Sequence, residues 1–185
     1  MRINLFAIYL LFAAFASFSQ GSGKAIPTYK EYIGKTFTDI KTIDTALGTS
    51  QFGILESNKQ YGVSIYGNSR FYNKKTGCKV FYVFFTKEVG RTGPQPIEQI
   101  LDVVTIDMKQ YSKHAQIRLD QCSKAGTDIF ETVAVYYHDE DMAAKGITVK
   151  PEKAWHPNVK TGKLEEVTPA ALKCGSEAPA ENGEQ

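Results

Sequence analysis

The densest group of side chains that could do chemistry is one short stretch, His138-Asp139-Glu140-Asp141. Carboxylates and an imidazole in one turn are ligands that a divalent cation such as Ca²⁺ accepts. The stretch lacks the ligand spacing and the glycine of an EF-hand loop, and adjacent loop acids are more often a solvated turn between strands. We therefore hold His138, Asp139 and Asp141 as a hypothetical metal site, or as the centre of a secreted hydrolase or metal-dependent enzyme.

Sequence motifs give no further support for an enzyme. No Gly-x-Ser-x-Gly elbow, His-Glu-x-x-His pair or glycine-rich phosphate loop occurs in the chain. The histidines, His114, His138 and His156, each lie beside turn or strand-end residues, which is typical of exposed imidazoles. We therefore predict no catalytic residue and no cofactor.

A second candidate site is a set of aromatic and polar side chains, most of them in or after one predicted hairpin. The set comprises Tyr61, Tyr66, Asn68, Arg70, Tyr72 and Trp155. Exposed rings suit a peptide, glycan or protein partner, and the Asn and Arg side chains add hydrogen bonds. The competing interpretation is that the rings alternate into the core, where aromatic residues are found more often.

The framework for these side chains is organised around Cys78–Val89, CKVFYVFFTKEV. Apolar residues occupy both of its faces, with Val80, Tyr82 and Phe84 on one and Phe81, Val83 and Phe85 on the other. A strand with one wet face alternates apolar and polar residues, so this strand should be covered on both sides. We predict that it is the central strand of the main sheet.

Helices are predicted before this sheet and strands around it. Residues 28–34 begin with a capping-box pattern, and residues 38–48 carry apolar residues at helical spacing that ends at Gly48. Residues 97–108 match either a helix face or a strand, and their β-branched composition favours a strand. The expectation is one α+β domain over residues 24–175: N-terminal helices followed by a mainly antiparallel β-sheet, open or partly closed.

The first 19 residues are typical of a secretory signal peptide. Arg2 provides the positive n-region, an apolar run follows, and small residues precede Gln20. The alternative, a membrane anchor, needs a longer apolar run and stop-transfer charges. We predict an exported protein, periplasmic or extracellular, with no stable membrane insertion after cleavage. Residues 176–185 have no apolar anchor and are predicted to be a disordered tail.

The charge balance and the cysteine count limit the possible partners and disulfides. Basic residues number 22 and acidic residues 20, which gives no electrostatic case for nucleic acid. Three cysteines allow one disulfide in an oxidising compartment, with three pairings open. Cys122 and Cys174 both lie beside turn signals, whereas Cys78 opens the apolar strand, so we favour Cys122–Cys174 as the disulfide.

The last third of the chain, about residues 100–175, contains a set of short motifs: Ile100-Leu101-Asp102-Val103, Cys122, Ala154-Trp155, Asn158, Thr161-Gly162-Lys163 and Cys174-Gly175. These motifs resemble the ending of a group of small exported bacterial proteins of unknown function. That group has a basic residue after the tryptophan, whereas this chain has His156. The resemblance implies a shared secreted, β-rich ending and supports the Cys122–Cys174 pairing, but it implies no activity.

The sequence therefore favours an exported, non-enzymatic binding or interaction protein of the cell envelope. Its partner would be an envelope or secreted protein, or a glycan. One alternative is the secreted hydrolase or metal-dependent enzyme that uses His138 and its neighbouring acids. Another is a carrier that holds a small apolar ligand inside a curled sheet.

Overall fold

Two five-stranded antiparallel sheets pack face to face in this protein. The computed structural model describes residues 25–55, 57–74, 77–124, 128–137 and 147–175. Sheet 1 has the strand order β1-β7-β6-β3-β2, and sheet 2 has the order β11-β10-β9-β8-β12. A short β4-β5 pair accompanies them. The strand bounds are β1 Thr36–Phe37, β2 Leu47–Ile54, β3 Tyr61–Asn68, β4 Tyr72–Asn73, β5 Gly77–Cys78, β6 Val80–Thr92, β7 Gln95–Asp107, β8 Ala115–Lys124, β9 Asp128–Tyr137, β10 Lys153–Asn158, β11 Lys163–Glu166 and β12 Leu172–Cys174.

Strand β6 is the middle strand of sheet 1, as the sequence predicts, and both of its faces are covered. Val83 and Phe85 face inward and pack against residues of sheet 2, among them Val133 and Trp155. The outer face is also buried, by a separate cluster: Val80, Tyr82 and Phe84 pack with Tyr29 and Ile40 from the N-terminal segment and with Leu47 at the start of β2. The irregular chain on either side of β1 thus forms a cover over the outer face of sheet 1.

The predicted α+β class is wrong. Strand residues make up 58% and helical residues 12% of the structure, and no helix of seven or more residues and no closed sheet occurs in the described ranges. The segments predicted as N-terminal helices contain only the 3-10 turns Lys30–Tyr32 and Ile40–Thr42. The protein is an open, two-sheet β-sandwich.

Local hydrogen bonds explain why the helical spacing of residues 38–48 did not produce a helix. The Asp39 carboxylate accepts from the backbone N–H of Lys41 at 2.9 Å, and the Asp44 carboxylate accepts from the N–H of Ala46 at 2.9 Å. Side chains that bond their own backbone in this way compete with helical hydrogen bonds. Ile40 and Leu47 are still buried, each 2% exposed, but Ile40 lies in a 3-10 turn and Leu47 begins strand β2.

Residues 97–108 are strand rather than helix, because they lie mostly in β7, which pairs with β6 over its whole length. The predicted disulfide is also present, since Cys122 on β8 and Cys174 on β12 face each other in the register and are bonded. It lies in a buried cluster on the outer face of sheet 2, with Ala134, Tyr136 and Leu172. Cys78 is the free cysteine.

One side chain joins the edges of the two sheets. Gln51 on β2 donates from Nε2 to the carbonyl of Ile117 at 3.4 Å and accepts from the N–H of Leu119 at 2.6 Å. Its primary amide therefore bonds the edge of β8 as a neighbouring peptide would. Strand β12 pairs only with the far end of β8, from Cys122 onward, so Gln51 satisfies backbone groups that β12 does not reach.

Replacing Gln51 should loosen this corner. We expect Gln51→Ala to lower the free energy of unfolding by about 1–2 kcal/mol, because two partly buried peptide groups of β8 lose their partner. Urea denaturation measures the change. Gln60→Ala is the matched control, since Gln60 is exposed, and it should change stability by less than about 0.5 kcal/mol. Equal effects of the two substitutions would contradict a role of Gln51 in joining the sheets.

Candidate functional site

The predicted aromatic group does not form one surface. Tyr61 lies toward the inner core, with its ring 5.8 Å from that of Phe85, whereas Tyr66 lies on the outer face, edge-on to Phe84 at 5.6 Å. Trp155 belongs to sheet 2 and is only 7% exposed within the inner core. Tyr61, Tyr66 and Trp155 therefore pack against the cores, as the alternative interpretation of the sequence predicts. Only Tyr72 is largely exposed, at 60%.

Asn68 and Arg70 lie close together and hold the N-terminal cover in place. The Arg70 guanidinium donates two hydrogen bonds to the Asp44 carboxylate, both at 2.8 Å. The Tyr29 hydroxyl donates to the same carboxylate at 2.6 Å, and Asn68 Nδ2 donates to the Tyr29 oxygen at 3.3 Å. Asn68 and Arg70, for which the sequence suggested a binding role, thus form hydrogen bonds within the protein. Their role in binding another molecule stays a prediction.

Burial and charge act in opposite directions within this network. Burial by itself raises the pKa of Asp44, but the hydrogen bonds from Tyr29, the Ala46 N–H and Arg70 outweigh it and lower that pKa. Burial and the neighbouring Asp44 raise the pKa of Tyr29. At neutral pH the network therefore consists of an ionised Asp44 and a protonated Tyr29. Tyr29 has a backbone φ of 55°, a left-handed conformation that is costly for an aromatic residue and that this network holds.

The hypothetical metal site at His138, Asp139 and Asp141 lies outside the described residues. Within the described ranges, no group of three or more His, Cys, Asp or Glu side chains is placed to hold a metal ion. His156, on β10, has its Nδ1 atom 2.9 Å from the carbonyl oxygen of Glu131. This contact ties the imidazole to the neighbouring strand.

A cleft of about 480 Å³ opens at one end of the sandwich, where β6 begins and β8 begins. The turn between β7 and β8, residues 108–114, forms one wall. Its lining combines apolar side chains with several polar ones: Gln51, Gly77, Cys78, Lys79, Phe81, Met108, Lys109, Tyr111, Ser112, Lys113, Ala115, Gln116 and Ile117.

The charged side chains that line this cleft are all cationic. Lys79, Lys109 and Lys113 line it, and no Asp or Glu is among its lining residues. No ion pair within the described part of the chain involves these lysines. The apolar part of the lining includes Phe81 and Met108, which also pack against the inner core. The cleft therefore offers an apolar floor with cationic side chains around it.

Contacts with sheet 2 position the wall of the cleft. Glu152, which precedes β10, accepts hydrogen bonds from the Ser112 N–H at 3.1 Å and from the Ser112 hydroxyl. Burial, followed by the negative charges of Glu166 and Glu152, raises the pKa of Tyr111. The Tyr111 hydroxyl therefore keeps its proton at neutral pH and can donate a hydrogen bond to a bound molecule.

Sequence reasoning missed this cleft. Its signal was present in residues 108–114, MKQYSKH, where two lysines, a tyrosine and a serine follow one strand and precede the next. Lys79 and Cys78 are about thirty residues earlier, and nothing in their spacing relates them to that turn. Only the pairing of β6 with β7 brings the two segments together, through a hydrogen bond from the Met108 N–H to the Lys79 carbonyl at 2.8 Å.

The chain was compared with known protein families, curated proteins and solved structures. No protein family model, no curated protein and no solved structure matches the chain. No helix in the described ranges is long and apolar enough to cross a membrane.

The Asp44 network predicts a specific dependence of stability on pH. The folded protein lowers the pKa of Asp44 below its ordinary value of 3.8, so the stabilisation is fully present above that value and is lost as the pH falls through the lower, folded value. We expect Asp44→Asn to reduce the free energy of unfolding by about 2 kcal/mol at pH 7. The difference between wild type and variant should shrink toward zero in strong acid, as measured by urea denaturation at a series of pH values.

Asp39→Asn is the matched control for this experiment. Asp39 is an exposed cap on the same segment, and asparagine caps such a turn as well as aspartate does. Its substitution should change stability by only a few tenths of a kcal/mol at any pH. A pH-independent effect of Asp44→Asn would show that the network does not depend on the Asp44 charge.

Proposed function

We propose that this chain is an exported, non-enzymatic binding protein that holds a small anionic molecule with an apolar part. The observation that carries the proposal is the cleft at the end of the sandwich, in which three lysines and no carboxylate surround an apolar floor. Its volume of about 480 Å³ falls within the usual range for small-molecule sites.

The charge of the lining selects for an anion. Lysine side chains beside a partly apolar surface attract negative charge more strongly than they would in open water. Tyr111 adds a hydroxyl group and Gln116 adds an amide, which can orient a carboxylate, sulfonate or phosphate head. Phe81, Met108 and Ile117 provide contacts for an aliphatic or aromatic tail.

The same lining favours binding over catalysis. It contains no histidine and no carboxylate, the side chains that most often transfer protons in enzymes. Cys78 Sγ lies 3.3 Å from the Val80 carbonyl and 3.5 Å from the Asn68 carbonyl, so it is oriented toward backbone acceptors. We therefore assign no reaction to the cleft.

Export is part of the proposal and is supported by two features. The Cys122–Cys174 disulfide is the kind of bond that persists in an oxidising compartment. The first 19 residues have the pattern of a signal peptide. The resemblance of the C-terminal third to small exported bacterial proteins agrees with that location. In this setting the ligand would be a molecule of the envelope or of the medium.

A pair of fluorescent probes tests the cleft. Anilinonaphthalene sulfonate carries an anionic head on aromatic rings, and N-phenylnaphthylamine is a closely related uncharged molecule. We expect the anionic probe to bind at one site per chain, and more tightly than the neutral probe, because the lysines interact only with the sulfonate. Lys109→Glu/Lys113→Glu should weaken binding of the anionic probe by at least about tenfold and leave the neutral probe nearly unchanged.

Lys41→Glu/Lys160→Glu is the matched control, because it makes the same change in net charge at two exposed lysines that do not line the cleft. It should leave both affinities within about twofold. Equal affinity for the two probes, unaffected by the lysine substitutions, would instead support a carrier of apolar ligands. Failure of both probes to bind would overturn the proposal.

A further inference from the structure

Strand β2, Leu47–Ile54, is an edge of sheet 1 whose bulge, between Thr49 and Gln51, lies before its last three residues and leaves those three in regular register. It has the sequence LGTSQFGI, with no charged residue and no proline. Such residues are the usual devices that keep an edge strand from pairing with another chain. The edges of sheet 2 carry them, because β11 has the sequence KLEE and β12 has the sequence LKC. The opposite edge of sheet 1, β1, is only two residues long.

Two large apolar side chains are exposed on this edge. Phe52 is 55% exposed and Ile54 is 56% exposed. The register places Phe52 beside Ser64 and Ile54 beside Gly62, so both side chains lie on the outer face of the sheet, next to small residues. Gly53, between them, faces inward, where a Cβ atom would lie 2.2 Å from Leu119 Cδ2. On the outer face, therefore, one apolar side chain lies on each side of Gly53.

The backbone of the same residues points away from the sheet. Leu55 donates from its N–H to the Tyr61 carbonyl at 2.9 Å, which marks this residue pair as hydrogen-bonded across β2 and β3. In an antiparallel ladder such pairs alternate, so Gly53 also bonds to β3 while Phe52 and Ile54 direct their N–H and C=O groups outward. Both residues therefore direct these backbone groups away from β3, and their side chains are more than half exposed.

We propose that β2 of a second copy of this chain pairs with β2 in antiparallel orientation, centred on Gly53. A twofold axis through that position sets Phe52 opposite Ile54 of the second copy, and Ile54 opposite its Phe52. The outward backbone groups of the two residues then make four hydrogen bonds, and two Phe–Ile pairs form on the outer face. Sheet 1 of one copy and sheet 1 of the other then form one continuous ten-stranded sheet.

The occupant is a second copy rather than an unrelated peptide because the edge is complementary to itself. A twofold interface requires that one patch match its own image. The Phe-Gly-Ile pattern satisfies this requirement for side chains. Inward and outward backbone groups alternate about Gly53, so the backbone groups satisfy it in the same register. The absence of charge on β2 removes the repulsion that would otherwise oppose pairing with itself.

Sedimentation equilibrium of the mature chain tests the association. The paired edge is short and buries little surface, so we expect the association to be weak. A reversible monomer–dimer equilibrium should appear at concentrations up to about 1 mM. Phe52→Lys or Ile54→Lys should abolish the dimer by placing like charges near the axis. Val89→Lys is the matched control, since Val89 is 50% exposed on another strand, and it should leave the dimer intact. A wild-type protein that remains monomeric throughout overturns the proposal, as does a dimer that survives both β2 substitutions.

Cysteine cross-linking tests the register, in a Cys78→Ser background that retains the Cys122–Cys174 disulfide. A mixture of Phe52→Cys chains and Ile54→Cys chains, distinguished by tags, should form a mixed disulfide under mild oxidation, because those positions face each other. Each variant alone should cross-link much less, since like positions are offset. Equal cross-linking in all three samples, or none in any, overturns the proposed register. This result is independent of the cleft, so it stands or falls separately from the proposed ligand.

Discussion

The burial of both faces of β6 is the constraint on which the rest of this structure depends. From Val80 to Phe85 both the odd and the even residues of β6 are apolar, so neither face can be left in water and each must be covered. Sheet 2 covers the inner face through the core that includes Val83 and Phe85. The N-terminal segment covers the outer face through the cluster around Tyr82 and Phe84. The two-layer architecture and the irregular cover are two solutions to the same requirement.

The outer cover is held in place by polar bonds as much as by apolar packing. Asp44 is the centre of these bonds, because it accepts from Tyr29, Arg70 and the Ala46 backbone. A covering segment with only short 3-10 turns has few hydrogen bonds of its own, so a partly buried, charge-assisted network compensates for the missing helix. The network also keeps Tyr29, the one described non-glycine residue with positive φ, in its left-handed conformation.

The cleft lies where the inner core ends. Phe81 and Met108 belong both to that core and to the cleft lining, so the apolar floor of the cleft is an extension of the packing between the sheets. The lysines come from the ends of strands and from the turn before β8, where chains leave the sandwich. A sandwich whose interior is filled by its own side chains has no room for a ligand between the sheets, and an open end is the place left for one. A small amphipathic anion would there meet the core with its tail and the lysines with its head.

Some properties of this protein could be read from the sequence because they depend on local pattern. The two-faced apolar run identified the central strand, β-branched composition favoured a strand for residues 97–108, and turn signals beside Cys122 and Cys174 favoured the disulfide that forms. The helical spacing of residues 38–48 led to a wrong prediction of a helix. The spacing of apolar residues indicates which side chains are buried, but it does not fix the backbone conformation of the segment. Asp39 and Asp44 bond the backbone locally, and packing on the sheet then decides the shape.

Only the tertiary structure decided which side chains meet. Tyr61, Tyr66 and Trp155 are all aromatic, but strand alternation and sheet order send them to different faces or different sheets. Lys79 and Lys113 are far apart in sequence, yet the pairing of β6 with β7 brings them to one cleft. The sequence by itself determined that β6 is buried on both faces, because this follows from the residue pattern of one segment. For the disulfide it only favoured one of three pairings, and the pairing of β8 with β12 brings the two cysteines together. The cleft and the edge position of β2 depend on long-range strand order, which no single segment encodes.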